Sequence, residues 1–184
     1  MEDIIAKCEQ MRCELNNETN KLVFGRGNPN AQIMIIGEAP GAKENETGLP
    51  FVGAAGKKLS ALLNHAQIDE QTCYIANILK YRPPNNKNPT KRQISIHTPY
   101  LMMQIERVAP KIIVTLGNYS TKFMIEQLSE KKETPGISKL HGKLIQTTPK
   151  LFPLYHPAAL LYNPNLQEET HKDLKKLKKH LAEI

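Results

Sequence analysis

Four short apolar runs, "QIMIIG" (32–37), "CYIANILK" (73–80), "KIIVTLG" (111–117) and "LFPLYHP" (151–157), recur at nearly even intervals along the chain. They are rich in Ile, Val and Leu and do not alternate with polar residues, which is the pattern of strands covered on both faces in a parallel sheet. Between them the apolar spacing turns helical: Leu59, Leu62, Leu63 and Ala66 form one stripe, and Ile94, Leu101, Ile105 and Val108 another. Pro99 falls inside the second stripe, where its missing N–H predicts a break or a fresh helix start. Asn118, just past the third run, is the expected N-cap of the next helix. Strand and helix in alternation predict an α/β fold: a three-layer α/β/α domain around a four-stranded, mostly parallel sheet.

At 184 residues the chain can bury one substantial core and is short for two, so a single domain over residues 1–184 is expected. Hydrophobic residues make up 40% and charged residues 23%, a globular balance rather than a disordered one. No apolar run reaches the roughly 18 residues of a membrane span, and "MEDIIAKCEQ" is charged where a secretory leader is apolar. The expectation is a cytoplasmic protein with no membrane partner. Cys8, Cys13 and Cys73 are odd in number and unevenly spaced, which suits a reducing compartment and predicts no disulfide. A formal charge of +7 favours polyanionic partners, although charge alone does not identify one. In "HKDLKKLKKHLAEI", Leu174, Leu177, Leu181 and Ile184 share one face while Lys172, Lys175, Lys176, Lys178 and Lys179 cover the rest. That is the pattern of a docking helix with a solvated outer face.

The first strand runs into "GEAPGAKENETGLPFVGAAGKKL" (37–59), a glycine-rich loop that carries two acids, Glu38 and Glu44. A phosphate-binding P-loop needs Gly, four residues, then Gly-Lys and Ser or Thr. Here Gly53 and Gly56 are three apart and Lys57 is followed by Lys58, so the loop fails that test. No dinucleotide fingerprint is present either, which argues against a nucleotide cofactor. In parallel sheets, ligands bind beyond the carboxyl ends of the strands. This loop, Asn77, "GNYS" and "HP" all end or follow a predicted strand.

Four segments in order, "GEAPGAKENETGLPFVGAAGKKL", "YIANILKYRPPNNKNPT", "TLGNYS" and "LYHPAALLYNP", resemble the successive motifs of family 4 uracil-DNA glycosylases. The resemblance runs from about Cys13 to the C-terminal helix. It implies an enzyme that hydrolyses the bond between uracil and deoxyribose in single- or double-stranded DNA and leaves an abasic site. That chemistry builds positive charge on the sugar and negative charge on the departing base, so an anion and hydrogen-bond donors are both needed. A duplex base must also be swung out, stacked and read along its pairing edge. By resemblance, Glu38 and Glu44 orient water or stabilise the cationic sugar, and His156 donates to uracil O2. Phe51 stacks on the base, Asn77 reads N3 and O4, and the backbone of Gly37, Glu38, Ala39, Pro40 and Gly41 lines the pocket. The plainer alternatives are a packing role for Phe51, a structural role for His156, and a carboxylate that only ties the loop together.

Outside the pocket, the resemblance places Leu161 and Tyr162 in the loop that fills the gap left by a flipped base. The family often has basic residues where Tyr162 and Asn163 stand, so the identity of the inserted side chain departs from the pattern. Lys57, Lys58, Arg82, Lys87, Lys91 and Arg92 are the candidate phosphate contacts. The family commonly holds a [4Fe-4S] cluster on four cysteines. Here the corresponding positions are Gln10, Cys13, Tyr81 and His97, with Cys8 two residues out of register and Cys73 at no ligand position. The expectation is therefore no cofactor and no metal, with packing in place of iron. A related branch captures DNA covalently through a histidine in an inserted loop, but "AKENETGLPF" has neither insertion nor histidine. The sequence leads to a monomeric, monofunctional glycosylase. The alternatives are a protein of the same fold that binds uracil-containing or single-stranded DNA without turnover or captures it covalently, and an unrelated nucleotide-binding protein.

Overall fold

A computed structural model describes residues 1–129 and 133–183. In chain order the elements are α1 (Glu2–Glu9), β1 (Arg26–Gly27), β2 (Ile33–Gly37), α2 (Ala42–Thr47), α3 (Ala54–His65), β3 (Cys73–Asn77) and α4 (Lys91–Val108). They continue with β4 (Ile112–Leu116), α5 (Gly117–Leu128), α6 (Ile137–Leu140), β5 (Lys150–Leu154), α7 (Pro157–Tyr162) and α8 (Asn165–Ala182). The strand order is β1-β3-β2-β4-β5, parallel throughout except for β1.

The four apolar runs become the four parallel strands. The sheet has a fifth strand, β1, which corrects the expected count of four: two residues, Arg26 and Gly27, pair antiparallel with Ile75 and Tyr74 at the edge. A strand this short has no apolar pattern to detect, and its single-sided pairing needs none.

Because side chains alternate along a strand, each run feeds two cores. Met34 and Ile36 of β2 join Tyr74, Ile113 and Leu151 against α1, α4 and α5. Ile33 and Ile35 join Ile75, Val114 and Phe152 against α3, α7 and α8. The sheet is thus the middle of three layers, as the non-alternating runs required. In α8, Leu174 and Leu177 are buried while Lys172, Lys175, Lys178 and Lys179 are exposed; Ile184 lies outside the described residues.

Two local expectations fail. Helix α4 runs unbroken through Pro99, because that ring sits on the exposed face, next to exposed Ser95, whose carbonyl loses its intrahelical partner where water can reach it. The buried face, with Leu101, Ile105 and Val108, and the Thr90–Gln93 capping box hold the helix on either side. Asn118 does not cap α5, which starts one residue earlier. Its Oδ1 instead accepts the N–H of Ile137 at 2.7 Å and joins α5 to α6.

The order of strands reverses at β2: the chain leaves it for β3 on one side and later returns to β4 on the other. Such a switch opens a crevice beyond the carboxyl ends of the strands. Gly37, Asn77, Leu116 and Leu154 are the last residues of those four strands.

Candidate active site

A loop poor in side chains leaves many backbone N–H groups to satisfy, and here one carboxylate takes three of them. Glu44, in the first turn of α2, accepts from the N–H of Gly41 at 3.2 Å, Val52 at 2.9 Å and Gly53 at 2.8 Å. From outside, Arg26 of β1 donates to the carbonyl of Pro50 at 2.9 Å and forms an ion pair with Glu70. Held between these clamps, Phe51 adopts a left-handed backbone with φ 55°, which disfavours any residue bearing a Cβ. A Cβ on Gly56 would collide with the Phe51 backbone, so α3 begins against this strained residue only because glycine is there. A Cβ on Gly37 would strike both the Phe51 ring and Asn77 Oδ1, so the bare end of β2 lets ring and amide meet.

Asn77 closes β3, is 2% exposed, and its Oδ1 is buried without a hydrogen-bond partner among the described residues. Such orphaned acceptors are rare and call for an explanation. Across the cleft, His156 caps α7, its Nδ1 accepting the N–H of Ala158 at 3.2 Å. With Nδ1 an acceptor, the proton of the neutral ring sits on Nε2. Burial pushes the His156 pKa below its ordinary value and keeps the ring neutral. Its centroid lies 6.1 Å from that of Phe51. Gly117, with φ 86°, sits where a Cβ would come to 3.0 Å from the Cβ of His156. Glu38 is half-buried, its pKa is raised by desolvation, and its carboxylate has no hydrogen-bond partner among the described residues.

Glu38, Ala39, Pro40, Gly41, Glu44, Phe51, Asn77, Lys87 and His156 line one cleft of about 400 Å3, with Gly37 buried beneath it. The cleft also takes in Ala55, Pro83, Asn86, Asn88 and Ala158, none of which the sequence singled out as lining residues. For Asn86 a signal existed: adjacent asparagines tolerate left-handed backbone, and Asn85 and Asn86 both have φ 53°. They fold "RPPNNKNPT" over the rim of the cleft.

The other predicted contacts surround this cleft unevenly. Lys57 is exposed in the first turn of α3, close to Ala55, while Lys58 turns to Gln167 of α8 at 2.5 Å. Arg82 donates to Asn86 at 2.8 Å, and Lys91 and Arg92 are exposed at the start of α4. Leu161 and Tyr162 end α7 at 46% and 88% exposure, followed by exposed Asn163. Two large apolar side chains held in solvent on a helix that His156 caps call for a partner.

The four cluster positions offer a poor ligand set. Cys13 is the only thiol among them; its Sγ is 3.4 Å from His97 Nε2. The Nδ1 of His97 is taken by the N–H of Lys80 at 2.9 Å, and the Tyr81 hydroxyl donates to the carbonyl of Cys8. Burial pushes His97 down to about 4. A cluster that needs four thiolates does not fit residues already engaged with one another. No group of three or more His, Cys, Asp or Glu suited to a metal occurs among the described residues, and no helix there is long and apolar enough to cross a membrane.

Comparison with known proteins agrees with this architecture. Residues 24–182 match the model of the uracil DNA glycosylase superfamily. The chain is 42% identical to a type-4 uracil-DNA glycosylase of Sulfurisphaera tokodaii, over 91% of this chain and 78% of that protein. It is 38% identical to a type-4 enzyme of Archaeoglobus fulgidus, over 96% and 91%, and 35% identical to one of Thermotoga maritima, over 95% and 89%. With a match across nearly its whole length, the chain belongs to the uracil DNA glycosylase superfamily.

Proposed function

We propose that this protein is a uracil-DNA glycosylase that hydrolyses the N-glycosidic bond of deoxyuridine in DNA and releases uracil. The buried, partnerless Oδ1 of Asn77 carries the proposal: it is an acceptor waiting for a donor, and the N3–H of uracil is one. The names of relatives that cover most of the chain support the same activity.

The geometry supports the following roles. A flipped base enters the cleft, Phe51 supplies an aromatic face, and Asn77 reads the pairing edge. As the glycosidic bond lengthens, negative charge gathers on the uracil oxygens, and the Nε2–H of neutral His156 donates to it. Glu38, half-buried and free of partners among the described residues, aligns water or balances the sugar's positive charge. Glu44 has its oxygens committed to three N–H groups and acts by holding the loop in shape. Lys57, Lys87, Lys91 and Arg92 hold phosphates, with Lys58 and Arg82 supporting the same face through Gln167 and Asn86. Leu161 and Tyr162, flanked by Asn163, fill the space the base vacates. The enzyme works as a single domain and a monomer, without an iron-sulfur cluster. Its three free cysteines, two of them buried, suit the reducing cytoplasm.

An end-labelled oligonucleotide with one uracil, treated with protein and then alkali, tests the proposal. Cleavage by the wild type and none by a Glu38→Ala/His156→Ala double variant is expected. Retained binding without any cleavage by the wild type would instead identify a sequestering protein.

A further inference from the structure

Lys80 is 0% exposed, yet it carries an amine into the core. A buried lysine needs partners, and it has two: Nζ donates to the carbonyl of Asn77 at 2.7 Å and to Oε1 of Gln104 in α4. Two acceptors match the two hydrogens of a neutral amine and would leave a third hydrogen of an ammonium unserved. Desolvation accordingly pulls the Lys80 pKa down to about 7. Gln104, also 0% exposed, uses its Nε2 to reach the carbonyl of Phe24 at 2.9 Å and the Tyr74 hydroxyl at 3.1 Å. The Lys80 backbone is pinned as well: its N–H goes to His97 Nδ1 at 2.9 Å and its carbonyl accepts from Val23.

All of this acts on the segment that follows β3. Ile78 donates to the carbonyl of Gly37 and Leu79 to that of Glu38, each at 3.1 Å, so the segment that follows Asn77 is also hydrogen-bonded to the backbone of Glu38. We propose that Lys80 is a positioning residue for Asn77: its Nζ ties the Asn77 carbonyl to Gln104 and so sets the angle at which the Asn77 amide meets the base. The inference rests on Asn77 reading the base. Lys80 lies outside the cleft lining and reaches the substrate only through Asn77.

Lys80→Met keeps the stem and removes both hydrogen bonds, and Gln104→Leu removes the outer anchor. For each variant, three quantities are compared with wild type: the single-turnover cleavage rate on uracil DNA, the affinity for DNA with an abasic-site analogue, and the thermal midpoint. Misplacing a reacting group by about an ångström costs up to ~100-fold in rate, so a fall of roughly ten- to a hundredfold is expected. Affinity for abasic DNA should hold, and the thermal midpoint of Lys80→Met should hold or rise, since a buried amine is removed. A wild-type cleavage rate in folded Lys80→Met overturns the proposal, and so does a loss of rate matched by loss of abasic-DNA affinity and of stability. Should Lys80→Met fail to fold, Gln104→Leu decides by the same criteria. Failure of both to fold also overturns it, because the network would then serve the whole domain. Asn77→Ala run in parallel separates the two claims: if it cleaves at the wild-type rate, the base-reading role itself falls. If it is slow while Lys80→Met is fast, only the role of Lys80 does.

Discussion

Two polar regions lie on either side of Asn77, and they are finished to different degrees. Behind it, buried Lys80, Gln104 and His97 and half-buried Cys13 form a network in which each side chain has a partner. In front of it, Asn77 Oδ1 and the Glu38 carboxylate have none among the described residues, and Phe51 sits in a strained backbone. Interior polar groups left unpaired are costly, so a fold keeps them only where something else completes them. The contrast separates scaffold from site: the completed network holds position, and the incomplete one awaits a ligand.

Breaking the incomplete side should have the largest effect. Glu38→Gln and His156→Ala are each expected to slow single-turnover cleavage by roughly 100- to 10,000-fold, the range for lost acid–base or charge-stabilising groups. Abasic-DNA affinity should change little. The pH dependence sharpens the assignment. Glu38 must be ionised, and burial raises its pKa above the ordinary 4.5, so kcat/KM should fall on the acid side at a higher pH than for a solvent-exposed glutamate. Burial lowers the His156 pKa below 6.5, so at neutral pH the ring is neutral and supplies its donor. In Glu38→Gln, the acid limb due to Glu38 should disappear from the pH–rate profile.

Breaking the completed side should appear in stability. His97 titrates at about 4 when folded and 6.5 when unfolded, so the unfolded chain binds the proton more readily. Its contribution is present above pH 6.5 and lost as pH falls through about 4, roughly 3 kcal/mol in all. Denaturant midpoints between pH 7 and 4 should therefore fall more steeply for wild type than for His97→Gln. Protein purified anaerobically should show neither iron nor the visible absorbance of a cluster; four irons per chain would contradict the engagement of Cys13 and His97 with each other. Smallest of all, Lys57→Ala or Lys87→Ala should weaken DNA binding and reduce its salt slope by about one each, with base preference unchanged.

The strands and the cleft were legible because they follow rules that a sequence displays. Non-alternating Ile and Val runs predict buried parallel strands, and the cleft lies at their carboxyl ends, where Glu38, Asn77 and His156 fall in "GEAPG", "YIAN" and "YHP". The two-residue edge strand was not legible, since Arg26 and Gly27 carry no periodicity. Pro99 misled because its effect depends on which face of α4 it occupies, and that is set by packing. The buried network escaped for a related reason. Gln93, His97 and Gln104 share the inner face of α4 with Leu101, Ile105 and Val108, a helical stripe that apolar counting alone does not register. The three N–H groups that Glu44 accepts were visible only as an alternative, because which N–H groups a carboxylate meets depends on how the loop closes.

The central claim is that the vacant acceptor of Asn77 receives the N3–H of uracil. Its most direct test is cleavage of two matched single-stranded oligonucleotides, one carrying deoxyuridine and the other 3-methyl-deoxyuridine, in which a methyl group replaces that hydrogen. The account predicts that the first is cut at an alkali-labile site and the second is not. Equal cleavage of both would mean that Asn77 Oδ1 does not read the base, and that the cleft recognises uracil by some other contact.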